Sequence, residues 1–469
     1  MSVTLLPATE QLALLREREI TPRELADEHI AQIQRLNPQL NAIVDFDAER
    51  VRAQAKRARI GAQPGVLAGL PVTVKSSIAV AGYKCEIGSV LNRGARPDRN
   101  AVVVDRLLAA GAVILGTTNC PEFLMAYETE NLLHGSTRNP WNPEYTAGGS
   151  SGGEAAAIAA GMSAGGLGSD SGGSVREPAH FTGICALKPT AGRIPSTGHL
   201  PPCLGPFAFL GSIGPMARTV GDVALLFGAL AGQDATDASC APVAPRPLTF
   251  EETKRVPIGW FEDDGLVPVT PETRAAVRDT ARALERQGFT VKPFRPEALE
   301  AARKLWWTFF VQCGAMLYAP TIRGREEELS PTFRDFLAIA RAETPLTADD
   351  LLEAWVESDK VRARLLHEMQ AFPLLLCPVC SVPAFRPFER EWMVEGKRVG
   401  YLDAMRYTQW FNLLGGPAAV VPVSRSAEGL PIGVQIAGRP YEDELVLAVA
   451  AAVESEFGYR TPALARSGE

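Results

Sequence analysis

The sequence predicts an α/β protein, and three observations carry that prediction. Short apolar runs alternate with helical stretches through the first half, as in PVTVK (71–75), AVVVDRLLAAGA (101–112) and AVILGTTN (112–119). This is the strand–helix–strand rhythm of an α/β sheet. The strand signal returns near the C-terminus in AAVVPVS (418–424) and IGVQIAG (432–438), on either side of a Glu428-Gly429 turn. Hydrophobic residues make up 46% and charged residues 22% of the 469 residues, which supplies the large core such a sheet needs.

Taken in order, TPRE (21–24) opens the first clear helix. Thr21 is its N-cap, Pro22 its first residue and Glu24 the return partner of a capping box. The following ELADEHIAQIQRL repeats apolar residues at helical spacing. A charged helix is expected over roughly 47–60. Strand 71–75 ends in Lys75; a helix over 101–112 closes on Gly111, and a buried strand follows at 112–119. Residues 233–257, rich in Ala, Pro and Asp, read as a surface connection. Helices dominate from 270 to 370, with RKLWWTFFVQCGAMLYA (303–319) among them, and a last helix covers 442–457. These elements predict one domain over residues 1–469, with 270–370 as a helical elaboration and 411–469 completing the sheet.

Charge and cysteine usage narrow the function classes. A net charge of −7 argues against a general nucleic-acid or anionic-membrane binder. No apolar run reaches 18 residues, so no membrane span is expected, and MSVTLLPATEQLALLRERE lacks the layout of a secretory signal. A cytoplasmic protein is therefore expected. Eight scattered cysteines suit reduced thiols rather than a disulfide framework. Cys377 and Cys380 form CPVC without a second ligand pair, which reads as two structural thiols.

The chemistry concentrates in YTAGGSSGGEAAAIAAGMSAGGLGSDSGGSVREPA (145–179), where ten of 35 residues are Gly and six are Ser. A flexible linker would not carry the helix former EAAAIAAGM. A phosphate cradle would need Gly-Lys-Ser/Thr at the helix entry, and here Gly153-Glu154 stands there. The remaining reading is a catalytic centre. Ser171-Gly172-Gly173-Ser174 offers consecutive backbone N–H groups to an oxyanion, with Ser174 as nucleophile. A serine nucleophile needs a base. His180 is nearby, but Ser174 lies in GGSVR and not in a G-x-S-x-G elbow, so His180 is expected to cap or pack locally. A lysine kept neutral by burial is the alternative base, and Lys75, at the end of an apolar strand, is the candidate.

These motifs together resemble the amidase signature family. The resemblance runs over nearly the whole chain and is densest over 65–225, the catalytic signature core. It rests on LPVTVK (70–75), GAVILGTTNCPEF (111–123), NPWNPEYTAGGSSGGEAAAIAAG (139–161), GSDSGGSVREPA (168–179), GICALKPTAGRIP (183–195), GPMARTVGDVALL (214–226), FNLLGGPAAVVPVS (411–424) and GLPIGVQIAGRP (429–440). It implies a central twisted mixed β-sheet flanked by α-helices on both faces. It also implies a Ser–cis-Ser–Lys triad: Ser174 as nucleophile, Ser150 as proton shuttle with a cis peptide bond before it, and Lys75 as base. The amides of Ser171, Gly172, Gly173 and Ser174 match the oxyanion hole. Ser151, Asp170 and Arg176 fall to structural support. No metal or organic cofactor is implied. Two departures stand out: Ser76 and Ser77 follow the lysine where the family often has Asp, and Ser171 replaces a usual Thr.

The substrate side of the resemblance is broader. Met125, Ala126 and Tyr127 of FLMAY, Phe207 of LPPCLGPFAFLG, and Trp306 and Phe310 of WWTFF are the candidate pocket residues. The WWTFF aromatics have an equal claim to be core of the helical region. An apolar wall implies cleavage of the C–N bond of hydrophobic or aryl amides, with carbamates (urethanes) and esters open to the same machinery. The expected partner is thus a small-molecule amide or carbamate, for a monomer or homodimer that binds no nucleic acid. The alternative is an amidotransferase A-type subunit that releases ammonia from glutamine within a complex.

Overall fold

In a computed structural model that describes residues 2–58 and 65–466, thirteen strands are present among the described residues. They are β1 (Ile43–Phe46), β2 (Pro71–Lys75), β3 (Val113–Thr118), β4 (Gly165–Asp170), β5 (Cys185–Lys188), β6 (Ser212–Ala217), β7 (Ile258–Trp260), β8 (Val291–Pro293), β9 (Leu374–Pro378), β10 (Glu391–Val394), β11 (Lys397–Gly400), β12 (Ala418–Arg425) and β13 (Pro431–Gly438). Eleven form one sheet in the order β1-β3-β2-β4-β6-β5-β12-β13-β9-β7-β8, while β10 and β11 form a separate hairpin. The sheet is mixed. β2 runs parallel to β3 and β4, β7 runs parallel to β8 and β9, and the remaining pairs are antiparallel.

Alternation along the strands sends side chains to two helical layers. On one face Val72, Val74, Val434 and Ile436 share a core with the helices Val220–Leu230, Pro271–Arg286 and Asp443–Phe457. On the other face Thr73 meets Glu154 of the helix Gly152–Ala159. A second apolar core lies among the helices Leu299–Trp307, Cys313–Ile322, Pro331–Ala342, Ala348–Glu368 and Arg406–Leu414.

Most boundaries follow local chemistry. The helix Pro22–Leu40 starts on the Thr21–Glu24 capping box, and Ala48–Arg57 starts where Asp47 accepts from the amides of Glu49 and Arg50. The tail of the expected 47–60 helix lies outside the described residues. The 101–112 helix is Val102–Ala109, and the C-terminal strand pair and final helix fall within a residue or two of expectation.

Three features differ. The 303–319 helix is not continuous: a π-helical turn at Thr308–Gln312 separates two α-helices. Within this aromatic run Trp306 and Phe310 stack, ring centroids 4.7 Å apart. The 270–370 region contains a strand, β8, that ends the sheet. The serine-glycine segment also contains a central strand, β4, which its three glycines conceal because Gly has little strand propensity. Gly166 is required there by close packing. A Cβ would lie 2.0 Å from Glu154 Oε1 and 2.3 Å from the Thr73 carbonyl oxygen.

Candidate active site

Three elements end together. β2 delivers Lys75 at its last position, the turn before Gly152–Ala159 delivers Ser150 and Ser151, and the turn after β4 delivers Ser171 to Ser174. The Lys75 side chain is fully buried. Its Nζ donates to Ser150 Oγ at 2.7 Å, Ser151 Oγ at 3.0 Å and Ser169 Oγ at 3.2 Å. Burial pushes the amine down to about 8, and the buried Cys120, Asp170 and Glu154 only partly oppose it. Glu154, 0% exposed, faces the hydroxyls of Thr73 and Thr118, and burial lifts its carboxyl to about 8. Burial thus disfavours the charged form of the Glu154 carboxyl and of the Lys75 amine alike.

Ser150 follows a cis peptide bond from Gly149. Ser151 N–H donates to the Ser174 carbonyl at 3.1 Å, which links the two serine turns. The Ser174 turn is fixed from beneath by Asp170. Its carboxylate accepts from the amides of Gly173 (2.8 Å) and Val175 (3.1 Å) and from Arg176 at Nε (3.0 Å) and Nη2 (2.9 Å). Asp170 and Arg176 are both inaccessible to solvent. Burial alone would raise Asp170, but the Arg176 charge and hydrogen bonds from Arg176 and Asn412 hold it well below the usual carboxylate range. Arg176 also donates to the Thr408 carbonyl (2.9 Å), Gln435 Oε1 (3.1 Å) and Asn412 Oδ1 (2.5 Å).

The four amides matched to the oxyanion hole differ in their partners. The Gly173 amide is already committed to Asp170. Among the described residues no hydrogen bond is made by the amides of Ser171, Gly172 or Ser174. His180 is buried on the helix Arg176–Thr182, where the Gly433 amide donates to its Nδ1 at 2.8 Å and its Nε2 faces the Val382 carbonyl at 3.3 Å. Burial lowers it to about 4. It fastens the helix to β13 and is not turned to Ser174.

A cavity of about 940 Å³ opens over Ser174 and Gly172. Its wall includes Met125, Ala126, Tyr127, Trp306 and Phe310. The Trp306 Nε1–H donates to the Ser171 carbonyl at 2.7 Å, and Tyr127 Oη donates to the Gly172 carbonyl at 2.8 Å. The WWTFF run divides its labour. Trp306, Trp307 and Phe310 face the cavity, while Phe309 packs on Phe209 and Trp355. Phe207 does not line this cavity; it lines a second, much smaller one beside Ser150. At the rim, Arg303 pairs with Asp403 and Arg390 with Glu128, both at 2.6 Å.

Several of these groups are not evident from the sequence. Ser169 and Glu154 sit inside the serine-glycine motifs, and that position was the available signal; the structure adds that both are buried. Arg390, Tyr401 and Asp403, which also line the cavity, carried no signal, because they come from the residue before β10 and from the helix Tyr401–Ala404 after β11, remote in the chain. Cys377 and Cys380 are buried free thiols: Gln435 Nε2 donates to Cys377 Sγ and Cys380 donates to the Val382 carbonyl.

The family model for amidases matches residues 24–447, and the chain belongs to that family. It is 32% identical over 468 residues to the indoleacetamide hydrolase of Bradyrhizobium diazoefficiens, covering 96% of this chain and 86% of the relative. It is 34% identical over 472 residues to the A subunit of the glutamyl-tRNA(Gln) amidotransferase of a Synechococcus species, covering 93% and 94%. A bacterial aryl acylamidase of the amidase signature family superposes with a TM-score of 0.87 at 26% identity, covering 99% of both chains. The protein is therefore an amidase signature amidohydrolase, an enzyme acting on amide C–N bonds. Among the described residues no helix is long and apolar enough to cross a membrane.

Proposed function

We propose that the protein hydrolyses amides with an apolar or aromatic acyl group through an acyl-enzyme on Ser174. The observation that carries this reading is the buried Lys75 amine, ringed by the hydroxyls of Ser150, Ser151 and Ser169 under an apolar cavity that reaches Ser174. In the neutral amine two N–H bonds serve Ser151 and Ser169, and the lone pair is left for the Ser150 proton. Ser150 in turn accepts the Ser174 proton as Ser174 Oγ attacks the carbonyl carbon. The oxyanion lies against the unengaged amides of Ser171, Gly172 and Ser174. Ser150 then returns the proton to the leaving nitrogen, the C–N bond breaks, and water releases the acid from Ser174. Carbamates and esters present the same acyl carbonyl and belong in the substrate range to be tested.

The amidotransferase relatives favour a second reading, ammonia release from glutamine inside a complex. The cavity wall also carries Arg303, Lys304, Asp335, Glu343, Arg390 and Asp403, of which Arg303 pairs with Asp403 and Arg390 with Glu128; the surface of Leu124, Met125, Trp306, Phe310 and Ile339 is the part that suits an apolar acyl chain. A panel of aryl and alkyl amides, glutamine, carbamates and esters tests both readings on the purified chain. Turnover of an apolar member, abolished in Ser174→Ala, is expected. Turnover of glutamine alone would favour the second reading, and full activity in Ser174→Ala would remove the nucleophile.

A further inference from the structure

Glu177 has no task in the mechanism above. It follows Arg176 in SVREPA and lies on the helix Arg176–Thr182, 0% exposed. Yet it touches both serine turns. Its backbone N–H donates to the Gly173 carbonyl at 2.7 Å, on the side of the nucleophile. Its carboxyl Oε2 accepts the Gly149 amide at 3.0 Å, on the side of Ser150. Among the described residues the Gly149 amide makes no other hydrogen bond, and Glu177 Oε1 has no partner.

That contact completes a clamp on one peptide plane. The carbonyl end of the Gly148–Gly149 peptide is held by Thr129 Oγ1, which donates to the Gly148 oxygen at 2.8 Å. The N–H end is held by Glu177. Thr129 Oγ1 also accepts the Gly152 amide at 3.1 Å, so the turn is fixed on either side of Ser150. Packing sets where the plane sits. A Cβ on Gly148 would lie 2.7 Å from Glu177 Oε2, and one on Gly149 would lie 2.6 Å from both the Ala126 carbonyl oxygen and the Glu128 nitrogen. Rotation of the plane is opposed by the hydrogen bonds at its two ends. Such a rotation would carry Ser150 Oγ away from Lys75 Nζ, which lies 2.7 Å from it. Burial lifts the Glu177 carboxyl well above the usual range against the pull of the Gly149 amide, and Glu128 and Asp170 add to the lift. A neutral acid still offers an acceptor oxygen to Gly149.

We infer that Glu177 is a positioning residue for the reaction: its carboxyl oxygen, through the Gly149 amide, holds the Ser150 hydroxyl against Lys75. It acts through Gly149 and not on the substrate. The inference rests on the hydrolase reading of the same site.

Ser150 has two duties in that reading. It takes the Ser174 proton, which every acyl substrate needs. It also returns a proton to the leaving group, which an amide needs and an activated aryl ester does not. The test therefore compares phenylacetyl 4-nitroanilide with 4-nitrophenyl phenylacetate, which share an acyl group, on the whole chain. The ratio of their kcat/KM values, read on a single preparation, is independent of how much of it is folded. Glu177→Leu removes the acceptor and should lower the amide-to-ester ratio about tenfold, within what a misplaced group costs. Glu177→Asp keeps the carboxyl but withdraws it by a methylene, and should move the ratio the same way. Glu177→Gln presents an amide oxygen at the original reach and should rescue the ratio to within about twofold of wild type. A ratio unchanged in Glu177→Leu, or in Glu177→Asp where the first does not fold, overturns the inference and leaves the hydrolase reading standing. A ratio that falls in Glu177→Gln as far as in Glu177→Leu overturns it too, because an acceptor oxygen is then not what Ser150 requires. A wild-type chain that cleaves neither compound sinks the hydrolase reading and the inference with it.

Discussion

A lysine amine in water holds its proton to about pH 10.4; burial brings that of Lys75 down to about 8. The deprotonated amine is the base, and it accumulates as pH rises. For a good substrate kcat/KM should therefore climb about tenfold per unit below pH 8 and level off above it. A pH–rate profile that is flat from 6 to 9 would remove Lys75 from the rate-limiting proton transfer. Lys75→Met should lower kcat by about 10²–10⁴-fold, the usual yield of a positioned base. The nearest histidine in sequence, His180, is spent on β13 and Val382. The base thus comes from a strand end 99 positions before the nucleophile, and no local motif around Ser174 could reveal it.

The turn after β4 depends on the buried Asp170–Arg176 pair in the same way that a helix depends on its cap. Asp170 binds the Gly173 and Val175 amides, and Arg176 carries the restraint to Thr408, Asn412 and Gln435. Asp170→Asn leaves the buried guanidinium without its counter-charge, which costs about 3–5 kcal/mol when one partner of such a pair is removed. Chemical denaturation checks the figure, and a loss under about 1 kcal/mol would mean the pair does not hold the turn. The wild-type carboxylate lies below its unfolded value, so its contribution is full above the ordinary Asp pKa. It is lost as pH falls through the lowered one. The charged pattern SDSGGSVRE made Asp170 and Arg176 readable as supports. The strand β4 was not readable, because its glycines are there to admit Glu154 and its neighbours rather than to extend the chain.

Across the whole molecule, the substrate cavity lies between the sheet-borne serine turns and the helical layer. Among the hydrogen bonds that fasten the helical layer, Trp306 reaches the Ser171 carbonyl, while Tyr318 to the Phe123 carbonyl and the Ser330 amide to Glu122 Oε2 at 2.6 Å hold it to the loop after β3. Trp306→Phe keeps an aromatic wall but removes the first bond. It should lower kcat/KM about 2- to 10-fold, the worth of one neutral hydrogen bond. Steady-state kinetics reads it, and an unchanged kcat/KM would make Trp306 wall alone. The sequence by itself determined the α/β class and the helix capped at Thr21, and its motif order singled out Lys75, Ser150, Ser174, Asp170 and Arg176. Those follow from periodicity, turn chemistry and motif order, which are local properties of the chain. Only the tertiary structure decided that the Gly173 amide is spent, that Phe309 is core while its neighbours Trp306 and Phe310 are cavity wall, and that Phe207 lines the smaller pocket beside Ser150. Each of those depends on what a side chain meets from a segment far away in sequence, and on the size of the space left between them.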